Sequence, residues 1–430
     1  MNNKISLIVY SLIALVPAAF IIIAFFGPKD DTTISLNGLD PFGLDDVKVT
    51  KKYDESEERL KKKREKFKNA VEKKWDTYEE STSKSYVTYS KDLSSRTIVD
   101  FEKGEVTIEV IVDEEDPKYD SYESKYNYDF DNLFSNKDII PNKFFSANTR
   151  LLNIISMFVF QVEEDDESNN DGNVNSSFAK QLSNLLKQKG DDGQPILKDQ
   201  LVDAGGKAVE GVGNTLSAAK DLISGQTKKV RMHFAKDGKK RTIISIKIPL
   251  SDDHMEKRRE RYKELIEIEA RRFNIPTEIA LAIAETESAF NPKAKSHVPA
   301  YGLMQLVPKT GARDAYQWIY KKDKFITGRY LYKPRNNVEL GCAYLSMIRH
   351  HYFSDIRDDE RAYICAIPAY NTGVGNVSKA LIDKTNIKQA AKKANKMNKD
   401  ELYDKLYSDL SSKEAKNYLK KVWKRKENYK

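Results

Sequence analysis

Glu287 is a carboxylate in a stretch that otherwise reads as the apolar side of a helix, "PTEIALAIAETESAF". Ile279, Ile283 and Glu287 follow one another at four-residue spacing and Phe290 adds to the same side, so the acid is expected to face inward or into a groove. Glu285, two residues back, lies about 160° round the helix and belongs to another face. Burial against apolar side chains raises a carboxyl's pKa, which suits it to giving and taking a proton near neutral pH. The competing reading is structural: an acid in this place pairs with an arginine or caps a neighbouring helix. Further on, "YGLMQLVP" and "AYN" supply two amides, Gln305 and Asn371, with no second Asp or Glu between Phe290 and Leu306.

Other chemistries find little support. The five histidines form no His-Glu-x-x-His run, and His350 and His351 are adjacent, so they leave a helix in different directions and do not suggest a zinc site. There is no Gly-x-Ser-x-Gly elbow, and "GGKAVEGVG" near Gly205 lacks the spacing of a phosphate loop. Cys342 and Cys365, the two cysteines, each sit in an apolar helical context and read as buried inert thiols rather than a bridge. Neither a metal nor another cofactor is expected.

The elements that must position these groups fall into two parts. "SEERLKKKREKFKNAVEKKWDTY" predicts a charged amphipathic helix with Leu60, Phe67, Val71 and Trp75 near one face. "SRTIVDFEKGEVTIEVIV" alternates by twos about Lys103-Gly104, and "VRMHFAKDGKKRTIISIKI" turns at Asp237-Gly238, so two β-hairpins are expected. Between them, "LLNIISMFVF" reads as a buried element and the acidic run from Glu163 as a solvated loop. From Ser251 the pattern becomes helical throughout, with Pro276 placed for a first turn. The expected organisation is an anchor at 1–26, a linker at 27–50, an α+β domain at 51–250 and an all-α domain at 251–430.

The anchor reading comes from residues 5–26, "ISLIVYSLIALVPAAFIIIAFF", a charge-free run long enough to cross a hydrocarbon core. Lys4 precedes it and acids follow, which places the N-terminus in the cytoplasm and exports the body; a cleaved signal peptide is the alternative. Residues from Ser251 onward carry 36 Lys+Arg against 24 Asp+Glu, and the first 250 carry 37 against 41. An acidic partner would thus meet the C-terminal half, with wall peptides or anionic head groups favoured over nucleic acid for an exported chain.

Four segments, "ETESAFNP", "YGLMQLVPKTG", "GCAYLSMI" and "AYNTGVGNV", in this order, resemble the signature of the soluble lytic transglycosylase domain, a lysozyme-like family that cleaves peptidoglycan. The hairpin leading into "PLSDDHMEKRRERY" and the closing "SSKEAKNYLKKV" are similar to the membrane-bound C type of lytic murein transglycosylase. The sequence departs from that family at Tyr301 before the Gly, at Thr372 after the Asn, and in having a helical anchor in place of a lipoprotein signal. The resemblance makes Glu287 the single catalytic acid/base and Ser288 a neighbour that contacts substrate. Met304 and Gln305 would line the glycan groove, Tyr370 and Asn371 would hold the sugar or orient Glu287, and Tyr344 and Tyr418 would complete the wall. On their own, Met304 and Tyr344 are equally consistent with core packing.

Glycosidases ordinarily use two carboxylates flanking the bond. The family mechanism implied here needs one: Glu287 protonates the oxygen between N-acetylmuramic acid and N-acetylglucosamine, then deprotonates the C6 hydroxyl to close a 1,6-anhydro ring. The resemblance implies peptidoglycan strands as substrate, the inner membrane and other cell-wall proteins as partners, and a periplasmic catalytic domain. Two rivals stand beside it: a goose-type muramidase that hydrolyses the same bond, and a non-catalytic wall-binding scaffold.

Overall fold

The computed structural model describes residues 44–113, 174–203, 207–209 and 215–430, with the backbone alone at 44–50 and 113. The expected anchor at 5–26, the apolar stretch at 151–160 and the acidic run from Glu163 lie outside the described residues. Among those described, no helix is long and apolar enough to cross a membrane. The chain divides into two compact units.

The first, spanning Glu55–Arg261 with Ala289–His297, is α+β. Helix α1 (Leu44–Glu72) leads into strands β1 (Ser85–Tyr89), β2 (Ser95–Asp100) and β3 (Glu105–Asp113). Helices α2 (Val174–Leu186) and α3 (Thr215–Ser224) follow, then β4 (Lys229–Phe234), β5 (Lys240–Pro249) and α4 (His254–Arg272). The five strands form one sheet in the order β1-β2-β3-β5-β4, antiparallel throughout. Both expected hairpins are present, and the unforeseen strand β1 extends the sheet beyond β2.

The turns follow from backbone sterics. Gly104 has φ +71°, and a Cβ there would stand 2.5 Å from the His254 ring, so any side chain would be both strained and crowded. The period of two then sorts the strands: Val99, Val106, Ile108, Ile246 and Ile248 form one apolar face packed with α2 and α3. On the other face, Ile111 and Ile243 meet Val71 and Trp75. Each such fully buried side chain contributes about 1.5–3 kcal/mol.

Two expectations about α1 change. It begins at Leu44, inside the expected linker, because nothing between Leu44 and Glu72 breaks a helix: that stretch holds neither Gly nor Pro. Leu60 and Phe67 are exposed, at 47% and 42%, and Phe67 keeps only edge-on contacts with Tyr78 (6.2 Å) and Tyr89 of β1 (5.6 Å), whereas Val71 and Trp75 are fully buried against Ile111 and Ile243.

Arg258, on α4, is the polar node of this unit and is 1% exposed. Its Nε donates to the Ala289 carbonyl (2.9 Å), Nη1 to Gln200 Oε1 (2.5 Å) and Nη2 to the Phe101 carbonyl (2.6 Å), while its guanidinium lies 5.0 Å from the Phe101 ring centre. One planar fork thereby satisfies acceptors from three separate segments.

The second unit, all-α, comprises residues 44–54, Tyr262–Ser288 and Val298–Lys430. It contains α5 (Thr277–Ser288), α6 (Gly311–Tyr320), the short α7 (Gly328–Leu331), α8 (Pro334–Met347), α9 (Asp359–Thr372), α10 (Val374–Ile382), α11 (Ile387–Ala394), α12 (Lys399–Asp409) and α13 (Lys413–Arg425). Side-chain caps mark several starts, among them Asp358 for α9, Ser412 for α13, and Asn398 with Glu401 in a full capping box for α12. The change to helix falls near the expected residue 251, whereas the change of unit falls within α4, at Tyr262.

Replacing Arg258 with Met should destabilise the α+β unit by about 3 kcal/mol, because the buried acceptors keep their desolvation cost and lose their donor. Faster hydrogen exchange at the β3 and β5 amides checks this. Unchanged exchange would refute the assigned role.

Candidate active site

The polar centre of the all-α unit is a tight turn, residues 301–306, closed by a two-way bridge between Tyr301 and Leu306. Gly302 has φ +77°, and a Cβ on it would meet the Leu331 carbonyl at 2.4 Å and Asn337 Nδ2 at 2.5 Å. Gln305 also lies in the left-handed region, at φ +46°, unusual for a residue with a side chain. Asn337, fully buried on α8, holds this geometry: Nδ2 donates to the Tyr301 carbonyl (2.7 Å), and Oδ1 accepts from the Met304 amide (2.7 Å).

Two other helices close on the same turn. Ser288, the last residue of α5, is fully buried, and its hydroxyl lies 3.0 Å from the Ala284 carbonyl and 2.8 Å from the Leu303 carbonyl. Tyr370 on α9 donates to the Met304 carbonyl (2.9 Å). Met304 is itself fully buried against α8, where a Cβ on Gly341 would stand 2.4 Å from its sulfur. The structure therefore places Ser288 and Met304 as internal supports, and both have zero exposed surface.

Glu287 sits one residue before Ser288, half-buried, and bears on two phenols. Burial, then the Glu287 charge, holds the Tyr370 hydroxyl far above its ordinary value. The same two causes in the same order act on Tyr418 from α13. Both phenols are thus donors at neutral pH. Tyr370 has spent its proton on Met304, whereas the buried Tyr418 hydroxyl is turned toward the Glu287 carboxylate, which acts on it through charge and a side-chain hydrogen bond. Gln305 Nε2 donates to the Gly302 carbonyl (3.0 Å), and its Oε1 is a buried acceptor with no donor.

Tyr344 joins this group through its ring, 5.3 Å from that of Tyr370 at 63°. Asn371 is half-exposed and donates to Glu414 Oε1 (3.4 Å). Glu287, Ser288, Met304, Gln305, Tyr344, Tyr370, Asn371 and Tyr418 all belong to this one unit. The two departures have local answers. The Tyr301 ring packs edge-on against Tyr332 (5.3 Å) and over Gly328, and Thr372 accepts from Asn376 Nδ2 through its carbonyl (2.7 Å).

Sequence reasoning missed Asn337, whose only signal is an amide on the apolar face of "NNVELGCAYL". It also missed Asp314 on α6. This carboxyl is open to solvent at its edge yet ringed by protein, and desolvation pushes it up to about 6 against the pull of Arg313. Asp314 in turn helps burial raise the Tyr344 hydroxyl. Both cysteines are free and buried, with burial pushing the Cys365 thiol up to about 12. His350 Nε2 meets the Asn274 carbonyl (2.9 Å) while the His351 ring lies 5.4 Å from Trp318. Among the described residues, no group of His, Cys, Asp and Glu is placed to hold a metal ion.

Two regions of the chain resemble known families. Residues 264–395 match the family model of the transglycosylase SLT domain, and residues 53–132 match that of the N-terminal domain of membrane-bound lytic murein transglycosylase C. The chain is 34% identical over 241 residues to the membrane-bound lytic murein transglycosylase C of Haemophilus ducreyi, covering 55% of this chain and 62% of that protein. It is 33% identical over 230 residues to the Salmonella arizonae protein of the same name, covering 53% and 61%. The match thus spans less than two thirds of these relatives' length. Among solved structures, the 70 kDa soluble lytic transglycosylase of Escherichia coli aligns at 26% identity and a TM-score of 0.31, over 41% of this chain and 25% of that one.

Two outcomes follow from the site. Gly302→Ala should cost several kcal/mol, since positive φ and a backbone clash add, and should lower the melting temperature by roughly 5–10 °C. Asp314 gives a pH signature. Its folded pKa exceeds the unfolded one, so the native state binds more protons between about pH 4 and 6 and loses stability as pH rises through that window. Asp314→Asn should therefore raise the melting temperature at pH 8 and leave it unchanged at pH 3.5, as scanning calorimetry would show.

Proposed function

We propose that this chain, which carries a transglycosylase SLT domain behind an N-terminal domain of the membrane-bound lytic murein transglycosylase C kind, is a peptidoglycan lytic transglycosylase. It cleaves the β-1,4 bond between N-acetylmuramic acid and N-acetylglucosamine and leaves a 1,6-anhydro ring. One observation carries the reading: among the described residues, Glu287 is the only carboxylate whose charge acts on the two buried phenols, Tyr370 and Tyr418. An acid alone among neutral donors suits a reaction in which the substrate supplies the nucleophile.

In the first step Glu287 gives its proton to the glycosidic oxygen as the bond to the muramic C1 breaks. The positive charge at C1 is met by the sugar's own acetamido oxygen. Glu287, now a carboxylate, takes the proton of the C6 hydroxyl as that oxygen closes on C1, so acid and base return to their starting state without water. Tyr418, a phenol turned toward Glu287, steadies the carboxylate between the two steps. Gln305 Oε1 is an acceptor in need of a donor, and an N-acetyl N–H supplies one. Ser288, Met304 and Tyr344 act behind them, and Asn371 meets sugar from the rim. The run at 5–26 anchors the chain in the inner membrane with the catalytic unit in the periplasm of the cell envelope.

The masses of soluble muropeptides released from purified sacculi by the full chain test this, beside Glu287→Gln. Anhydro products are expected from the parent, with release by the variant lower by roughly 10²–10⁴-fold. A preponderance of reducing muramic ends would favour the muramidase instead. Binding to sacculi with nothing released would favour the scaffold.

A further inference from the structure

The reaction above gives no task to Glu285, the other acid at the end of α5. Its carboxylate is nonetheless held by two partners from beyond α5. Oε1 lies 3.0 Å from Arg425 Nε, and Oε2 accepts from Tyr429 Oη at 2.5 Å. Arg425 Nη1 also donates to Thr286 Oγ1 at 3.0 Å. The side chains of Glu285 and Arg425 are only 13% and 19% exposed, so this is not a surface pair that solvent would screen to nothing. The two residues immediately before Glu287 are thereby held by the end of α13 and the turn after it.

The same face of α13 carries Tyr418, whose hydroxyl Glu287 reaches through charge and a side-chain hydrogen bond. Tyr418, Val422 and Arg425 stand at i, i+4 and i+7 and so share one side of the helix, with Val422 fully buried between the other two. Arg425 is about 10 Å along the axis from Tyr418, and a helix of this length is stiff. Gripping Glu285 and Thr286 at one end therefore sets where the phenol at the other end comes to rest.

Resting on the reading of Glu287 as the acid, we propose that Glu285, Arg425 and Tyr429 form a register pin: positioning residues that set α13 against α5 and so present the Tyr418 phenol to the Glu287 carboxylate. None of the three touches substrate. Without the pin α13 can slide or turn by a fraction of a residue, and an ångström at the catalytic acid is worth up to about a hundredfold in rate.

The test uses the full chain, solubilised, with glutamate labelled at the carboxyl carbon, the Glu287 signal being identified by its loss in Glu287→Gln. Because deleting Arg425 alone would shift nearby titrations through charge, the decisive variant is the charge-neutral pair Glu285→Gln with Arg425→Gln. The Glu287 titration midpoint should rise in that variant by half a pH unit or more, since a phenol donating to a carboxylate favours its ionised form. The swapped pair, Glu285→Arg with Arg425→Glu, should restore it. For muropeptide release, kcat should fall ten- to a hundredfold with KM within threefold. A folded double variant with the parent's midpoint overturns the pin whatever its activity. If the double variant does not fold, Tyr429→Phe answers the same question by the same titration. A midpoint that moves in a parent unable to release anhydro products would keep the pin and refute the reaction proposed above.

Discussion

A single buried carboxamide, that of Asn337, organises the all-α unit. A turn whose second residue has φ +77° and whose fifth, Gln305, is left-handed does not hold itself, because such conformations cost free energy wherever a side chain is present. Asn337 offsets that cost by supplying a donor and an acceptor at once, to the Tyr301 carbonyl and the Met304 amide. With those backbone groups satisfied, the carbonyls of Leu303 and Met304 are left to receive Ser288 and Tyr370. Helices α5, α8 and α9 thus meet on one short piece of backbone, and the last residues of α5, Glu287 among them, are placed by that convergence.

The residues that share a motif with Glu287 divide by exposure. Ser288 and Met304 are sealed, one latched to two carbonyls and the other wedged where α8 offers a glycine. Substituting them would disturb the acid indirectly, through the turn and the end of α5. Gln305 differs from these because its Oε1 is buried and unspent, and an unspent buried polar atom is costly unless a ligand uses it. A loop required to keep such atoms open cannot also be optimally stable, which accounts for the positive φ at Gln305 persisting where a relaxed turn would avoid it.

Much of this was legible in the chain. The two hairpins were legible because Lys103-Gly104 and Asp237-Gly238 are local turn signals between strands that alternate by twos, and local signals survive folding. The inward-facing helix bearing Glu287 was legible for the same reason, from a four-residue recurrence. Strand β1 was not, since "SYVTY" is half-buried along its whole length and lacks a strong alternation. The exposed Leu60 and Phe67 show the limit of periodicity: it names a face of α1 and does not say how deeply each residue on that face is buried.

By itself the sequence determined which residues could carry chemistry and in what order they come, because residue type and spacing are properties of the chain. Tertiary structure alone decided their states. That Tyr370 has spent its proton on a carbonyl while Tyr418 is turned to Glu287, that desolvation pushes the Asp314 carboxyl up, and that Glu285 is clasped by Arg425 and Tyr429 from over a hundred residues away all depend on which atoms are nearby and how much water remains. Desolvation and hydrogen-bond partnership are set by neighbours in space, and those neighbours are assembled only when the helices pack.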